Sequence, residues 1–300
     1  MSKKSDFALV PRPPSALEKA EPGAKRILSG MVADTLALIP VRLNAEAKDW
    51  FEKGSSYFKT NNYTEAVRWY RKAAEQNYPL AQYDLGICYE RGWGVAQDEV
   101  EALKWYRKAA EQNYALAQYA LGYCHWRGQG VPQDRVEAVR WYRKAGEQGY
   151  DSGQHGLGVC YLNGCGVPQD YAEAVTWFRK AAEQGHARAQ FNLGFCYEHG
   201  QGVPQDFGEA VKWYRKAADR GHTSAQENLG ACYANGRAAI DIEDAVEVYK
   251  WVKLAEEHGY EGATKTAAVI EVLLSPVEFR EAERRYDELK LSRQSINTHE

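Results

Sequence analysis

The chain has 300 residues, 44% hydrophobic and 26% charged, enough for a sizeable folded core and too apolar for disorder over most of its length. A formal net charge of −3 argues against a nucleic-acid-binding surface, because affinity for phosphate backbones needs clustered, uncompensated Lys and Arg. No secretory signal pattern opens the chain and no apolar stretch reaches the ~20 residues of a membrane span, so a cytoplasmic protein without an integral membrane segment is expected.

Residues 1–23 are rich in Pro, Ser and Lys and read as a flexible leader. In the segment 24–45 a helix is predicted over 24–39, stopped by Pro40, with Ile27, Met31 and Leu38 on one face. It either caps the N-terminal edge of the periodic array beyond it or, through its 24–39 stretch, docks on a partner or a membrane surface.

From residue 46 the chain is periodic, and the period decides the fold class. Residues 46–78 form a first helix pair, with Gly54, Tyr57, Ala66, Tyr70 and Ala73 as packing positions. Five units follow over 79–263: Trp105, Trp141, Trp177 and Trp213 stand 36 residues apart, and a degenerate fifth unit places Trp251 after 38, with 237–241 replacing the usual loop. Each unit reads as helix, turn, helix. In the unit beginning near Ala117, Gly128 and Gly130 supply the positive φ that ends the first helix, and Asp134 caps the second, with Glu137 placed to complete a capping box. Glycines inside the first helices (Gly86, Gly122, Gly158, Gly194, Gly230) each cost about 1 kcal/mol relative to alanine, which predicts a bulky neighbour in close approach.

Cys88, Cys124, Cys160, Cys196 and Cys232 keep the same 36-residue spacing, so they are one position of a repeat. Stacked helices lie roughly 8–10 Å apart, beyond the ~7 Å limit for a disulfide, and an unbridged ladder of buried thiols is expected. Cys165 falls outside the ladder, in an exposed turn open to labelling. The second helices carry Arg71-Lys72, Arg107-Lys108, Arg143-Lys144, Arg179-Lys180 and Arg215-Lys216, with Glu75, Glu111, Glu147 and Glu183 four residues beyond the arginines, predicting ion pairs on a solvated face. Capping helices over 264–293 close the array, with Ser275 and Glu278 as a capping box and Phe279, Ala282, Tyr286 and Leu289 as the sealing face. Residues 294–300 read as a disordered tail.

The seven histidines and six cysteines show no His-Glu-x-x-His or Cys-x-x-Cys spacing, and the Gly-x-Gly turns follow helices and lack a Walker lysine, so no metal, no nucleotide and no other cofactor is expected. The regular Asp/Glu pairs are helix caps, and no catalytic set is expected.

The pattern carried by Ala189, Leu193, Gly194, Tyr197, Gly200, Gly202, Val203, Asp206, Ala210, Trp213, Tyr214, Ala217 and Ala218 resembles the Sel-one-like repeat family, a subclass of tetratricopeptide-like α/α solenoids. Residues 46–78, lacking the Gly-x-Gly-Val turn, resemble a plain tetratricopeptide repeat. The resemblance implies an all-α, right-handed α/α superhelical solenoid that acts as an adaptor or scaffold, with a concave surface lined by the first helices. Aligning the units on that pattern gives Phe51, Phe58, Tyr83, Ile87, Arg91, Tyr119, Tyr123, Trp126, Arg127, His155, Phe191, Phe195 and His199 as groove residues. They vary while their neighbours repeat, and aromatics and arginine are favoured at interface centres. A peptide groove is the sharper reading of these positions and ordinary packing between repeats the plainer one. The implied function is a monomeric, non-enzymatic adaptor that binds a protein or peptide, in bacterial regulation or complex assembly. The alternative is a small-molecule binder or hydrolase, as cysteine-rich, β-lactam-binding members of the family suggest, although this chain lacks their second cysteine per repeat.

Overall fold

A computed structural model describes residues 45–236, 245–260 and 262–297. The leader over 1–23, the segment 24–45 up to residue 44 with its expected helix, the degenerate loop at 237–241 and residues 298–300 lie outside the described residues. The described residues form 14 α-helices in two compact units that divide between Asp170 and Tyr171.

The N-terminal unit contains α1 (Ala45–Lys59), α2 (Tyr63–Glu75), α3 (Pro79–Arg91), α4 (Glu99–Glu111), α5 (Ala115–Arg127), α6 (Arg135–Glu147) and α7 (Asp151–Asn163). The C-terminal unit contains α8 (Tyr171–Glu183), α9 (Ala187–His199), α10 (Phe207–Ala218), α11 (Thr223–Ala234), α12 (Ala245–Glu257), α13 (Ala263–Leu273) and α14 (Pro276–Asn297). Within each unit the helices up to α12 pack against their neighbours in the chain as repeating helix-turn-helix pairs, and α13 and α14 both pack on α12. The last helix runs to Asn297, into the stretch expected to be a disordered tail.

First and second helices solve different packing problems. A second helix such as α6 buries one stripe, Ala138, Val139, Tyr142, Ala145 and Gly146, and turns its charged side to water. A first helix such as α5 is covered on nearly all sides, with ten of its 13 residues buried, and so shows no clean amphipathic stripe. The interior glycines explain how such helices approach: a Cβ at Gly122 would sit 2.8 Å from the Tyr142 ring, and one at Gly86 2.6 Å from that of Tyr106. The bulky neighbour predicted from the sequence is thus the tyrosine of the same repeat's second helix at Gly86, Gly122 and Gly194, whereas Gly230 meets the Trp251 carbonyl.

In the turns, Gly128 takes φ 74° as the helix C-cap, and Gly130, at φ 66°, abuts the Glu99 carbonyl of the preceding repeat, where a Cβ would collide. Asp98, Asp134 and Asp206 accept from the backbone N–H of Glu101, Glu137 and Glu209 at 2.9–3.0 Å. The reciprocal half of the expected capping boxes is not what forms there. The Asp134 N–H donates to the His125 carbonyl at 2.9 Å, and Glu137 pairs with Arg140 at 3.1 Å. A full box forms at α14, where Ser275 N–H donates to Glu278 Oε2 at 2.9 Å. That helix seals its unit as expected, through Phe279 against Tyr249 and an Arg285–Glu247 pair at 2.8 Å.

The five ladder cysteines are buried free thiols, and Cys165 is half-buried and free. Burial pushes Cys196 up to about 12, so it stays protonated and inert. The basic ladder is organised differently from expectation. Arg71, Arg143, Arg179 and Arg215 donate to the hydroxyls of Tyr89, Tyr161, Tyr197 and Tyr233 at 2.6–2.7 Å, each on the next first helix, in place of the predicted ion pairs four residues along. The adjacent lysines 108, 144, 180 and 216 lie 4.0 Å from the centres of Trp105, Trp141, Trp177 and Trp213. The arginines thus couple one repeat to the next, a role that a single-helix spacing rule cannot see, whereas each lysine lies over a tryptophan of its own helix.

Candidate functional site

Burial separates the thirteen predicted groove residues into two groups. Tyr83, Tyr119, His155 and Phe191 are 0–3% exposed, and Phe58, Ile87 and Tyr123 are also buried. Tyr83 lies 5.6 Å from the Tyr106 ring and 5.5 Å from Tyr114; Tyr119 repeats this with Tyr142 and Tyr150, both at 5.5 Å; Phe191 packs on Tyr214 and stacks on His222 at 4.7 Å. This position of the first helix meets the second-helix tyrosine and the residue preceding the next first helix, so its aromatic character serves packing. The expectation that all thirteen face a groove is corrected to that extent.

Phe51, Arg91, Trp126 and Phe195 are half-buried, and Arg127 and His199 are exposed. Phe51 leans on Tyr70 and Tyr78, Arg91 lies 5.7 Å from the centre of the Trp93 ring, and Phe195 stacks on His199 at 3.9 Å. Apart from Phe51, which lies mid-helix, these residues cluster toward the C-terminal ends of the first helices.

The most developed of these clusters is in the N-terminal unit. An open cleft of ≈ 470 Å³ is lined by Trp126, Arg127, Arg135, Asn163 and Cys165 together with Gln129 and Gln133. Trp126 is held from behind by its own carbonyl, which accepts from Gln133 Nε2 at 2.7 Å. The Arg135 guanidinium lies 5.2 Å from the centre of the Trp126 ring and donates to Cys165 Sγ at 3.2 Å. No carboxylate lines this cleft, and among the described residues neither arginine is paired with one. Three further clefts carry carboxylates beside their basic residues: Glu75; Glu183 and Asp219; Glu137 and Glu147.

The same repeat breaks two rules its neighbours keep. Tyr106 and Tyr214 donate to Glu90 and Glu198, sixteen residues earlier, at 2.5 and 2.7 Å. Tyr142 finds Trp126 at that register, and its buried hydroxyl has no hydrogen-bond partner among the described residues. The residue equivalent to Tyr89 and Tyr161 is His125, which is 6% exposed with both ring nitrogens unpartnered among the described residues. Burial lowers its proton affinity below the ordinary histidine value, with Arg107 adding to the shift against the pull of Glu137 and Asp134. Each buried polar group left without a partner costs about 1–3 kcal/mol.

Sequence reasoning missed two features. Arg135 opens a second helix at a position held by Glu99, Tyr171 and Phe207 elsewhere, a variation that lies on the second helices, away from the first-helix positions. The second is a buried glutamine ladder: Gln82, Gln118 and Gln154 donate to the carbonyls of Ala74, Ala110 and Gly146 at 3.1–3.2 Å, and Gln112 donates to Gln82 Oε1 at 2.6 Å. Its signal was the glutamine recurring every 36 residues.

These helix pairs, with their glycine–tyrosine contacts and Gly-x-Gly turns, define a tetratricopeptide-like repeat protein. Residues 45–78, 79–114, 115–150, 151–186, 187–222 and 223–260 match the Sel1 repeat, and the chain belongs to the Sel1 repeat family. The shortened pair over 46–78, expected to be a plain tetratricopeptide repeat, is therefore the first of six Sel1 units. The chain is similar to a Sel1 repeat protein of Oxalobacter formigenes, at 34% identity and a TM-score of 0.62 over 81% of this chain and 99% of that one. It is also similar to a protective antigen of uropathogenic Escherichia coli with an SLR fold, at 30% identity and a TM-score of 0.46 over 82% of this chain and 69% of the other. A segment of 45 residues, 15% of the chain, is 42% identical to the DAP3-binding cell death enhancer 1 of Rattus norvegicus and spans only 9% of that protein's length. The fold is one that typically mediates protein–protein interactions. Among the described residues no helix is long and apolar enough to cross a membrane, and no cluster of His, Cys, Asp and Glu has the arrangement of a metal site.

Proposed function

We propose that this protein is a non-enzymatic, monomeric, cytoplasmic adaptor that holds a protein partner against the first-helix ends and following turns, with Trp126 as a principal anchor. The observation that carries this reading is the half-buried Trp126 beside two arginines on a lattice otherwise repeated for packing, since Trp and Arg dominate the energetic centres of interfaces. Free thiols at all six cysteines suit a reducing compartment. The test is cross-linking with mass spectrometry in the native host, comparing wild type with Trp126→Ala. Partner capture should fall about tenfold or more while circular dichroism is unchanged. Undiminished capture rejects the anchor. A thermal shift with β-lactams or cell-wall fragments, without partner capture, rejects the adaptor in favour of a small-molecule binder.

A further inference from the structure

We propose that the cleft at Trp126, Arg127 and Arg135 is an anion subsite that takes the carboxylates of an acidic segment of the partner protein. This rests on the adaptor reading above and specifies the chemistry of its partner.

Charge is the first argument. The cleft carries two guanidiniums and no carboxylate, on a chain whose net charge is −3 and whose three other described clefts mix both signs. Two like charges sharing one concave surface repel, and an anion between them removes that repulsion while gaining charge-assisted, bidentate hydrogen bonds.

Presentation is the second. Arg127 makes no hydrogen bond or ion pair among the described residues, so its five N–H donors remain for a ligand. Arg135 is pinned by stacking near Trp126 and by the Cys165 contact, which leaves the remaining N–H groups of a partly immobilised fork available. The Trp126 ring adds an apolar wall against which the methylenes of a Glu side chain, or a neighbouring aromatic, can lie.

The third argument is the exception in the repeat. At the register of Trp126 two other repeats hold Glu90 and Glu198, each bound by a tyrosine, and a third holds Leu162, matched in sequence by Phe178 in place of the tyrosine. Here the carboxylate is gone but the tyrosine is kept, and the Tyr142 hydroxyl is left without a partner among the described residues. A glutamate at 126 would satisfy Tyr142 but would stand beside Arg127 and Arg135 and compete with any incoming anion. His125, buried and unsatisfied one residue earlier, concentrates a second departure in the same turn of helix. Departures from local consistency that carry a folding cost collect at functional sites.

A protein segment fits better than a long polyanion, because the positive charge is confined to one cleft on a negatively charged chain. The test is fluorescence anisotropy on the full chain with a fluorescein-labelled, amidated peptide carrying four glutamates around one phenylalanine, beside its glutamine counterpart. The acidic peptide should bind, weaken with added salt, and lose about tenfold or more on Arg127→Ala and on Arg135→Ala, both exposed positions that leave folding intact. Arg127→Lys should retain part of the binding, and Arg140→Ala, which removes a charge paired with Glu137, should match wild type. Equal binding of the glutamine peptide, no effect of either arginine, or tighter binding of single-stranded RNA or inorganic phosphate than of the acidic peptide would overturn the proposal. A native partner captured through Trp126 that has no acidic segment defeats the anion subsite and leaves the adaptor standing; absence of any Trp126-dependent partner defeats the adaptor itself.

Discussion

The repeats α3–α4 and α5–α6 are built on the same helix pair, glycine contact and turn, yet they treat their buried polar groups in opposite ways. In the first, Tyr106 reaches Glu90, and Tyr89 receives Arg71. In the second, Tyr142 has no acceptor among the described residues, and His125 stands where the arginine's tyrosine belongs. The first also buries a second acid in the middle of its first helix, Asp84, at the position held by Ala120 in the second; burial alone pushes its proton affinity up to about 7. One repeat is satisfied at its end and strained in its middle. The other is satisfied in its middle and incomplete at its end, where Trp126 faces the cleft. A repeated scaffold lets the two be compared position by position, because everything around them is held constant.

Three substitutions separate them. The largest effect is expected from Asp84→Asn, which installs the residue found at the equivalent positions 192 and 228. Asp84 has a higher proton affinity folded than unfolded, so its contribution is intact below about pH 4 and is lost as pH rises through about 7. The variant should therefore gain about 1–3 kcal/mol at pH 8 and little at pH 4, read from denaturant unfolding at the two pH values. No difference between the two pH values would show that the buried acid is compensated.

Trp126→Glu rebuilds the α3–α4 arrangement in α5–α6. It should stabilise the fold by about 1 kcal/mol by giving Tyr142 an acceptor, while abolishing binding of the acidic peptide. A variant that gains stability and keeps binding would break the link drawn between the missing carboxylate and the cleft.

His125→Tyr offers Arg107 the phenol that the other arginines have, with an expected gain of about 0.5–1.5 kcal/mol at neutral pH. Because His125 is less basic in the folded state, its stability is present above the unfolded histidine value of about 6.5 and declines as pH falls below it. The tyrosine variant should flatten the thermal midpoint between pH 5 and 7 compared with wild type.

Much of this molecule was legible in its sequence. The 36-residue period announced the helix pairs, Gly128 and Gly130 the turns, Asp134 the cap, and the cysteine spacing an unbridged ladder, because each is a local requirement of backbone geometry repeated often enough to stand out. Ser275 and Glu278 marked the start of the last helix for the same reason.

Which varying residues reach the surface was decided only by tertiary structure. Tyr119 and Trp126 are aromatics seven residues apart on one helix, and periodicity treats them alike; the rings of Tyr142 and Tyr150 enclose the first, and the end of the helix leaves the second at a cleft. The arginine ladder misled for a related reason: the i,i+4 rule counts neighbours on one helix, whereas Arg143 finds its partner on the next one, at Tyr161. Arg135 joined Trp126 across a turn that no helical spacing connects. Local chemistry repeats with the chain and can be read from it, whereas a binding surface is assembled from residues brought together by packing, and that proximity exists only once the helices have stacked.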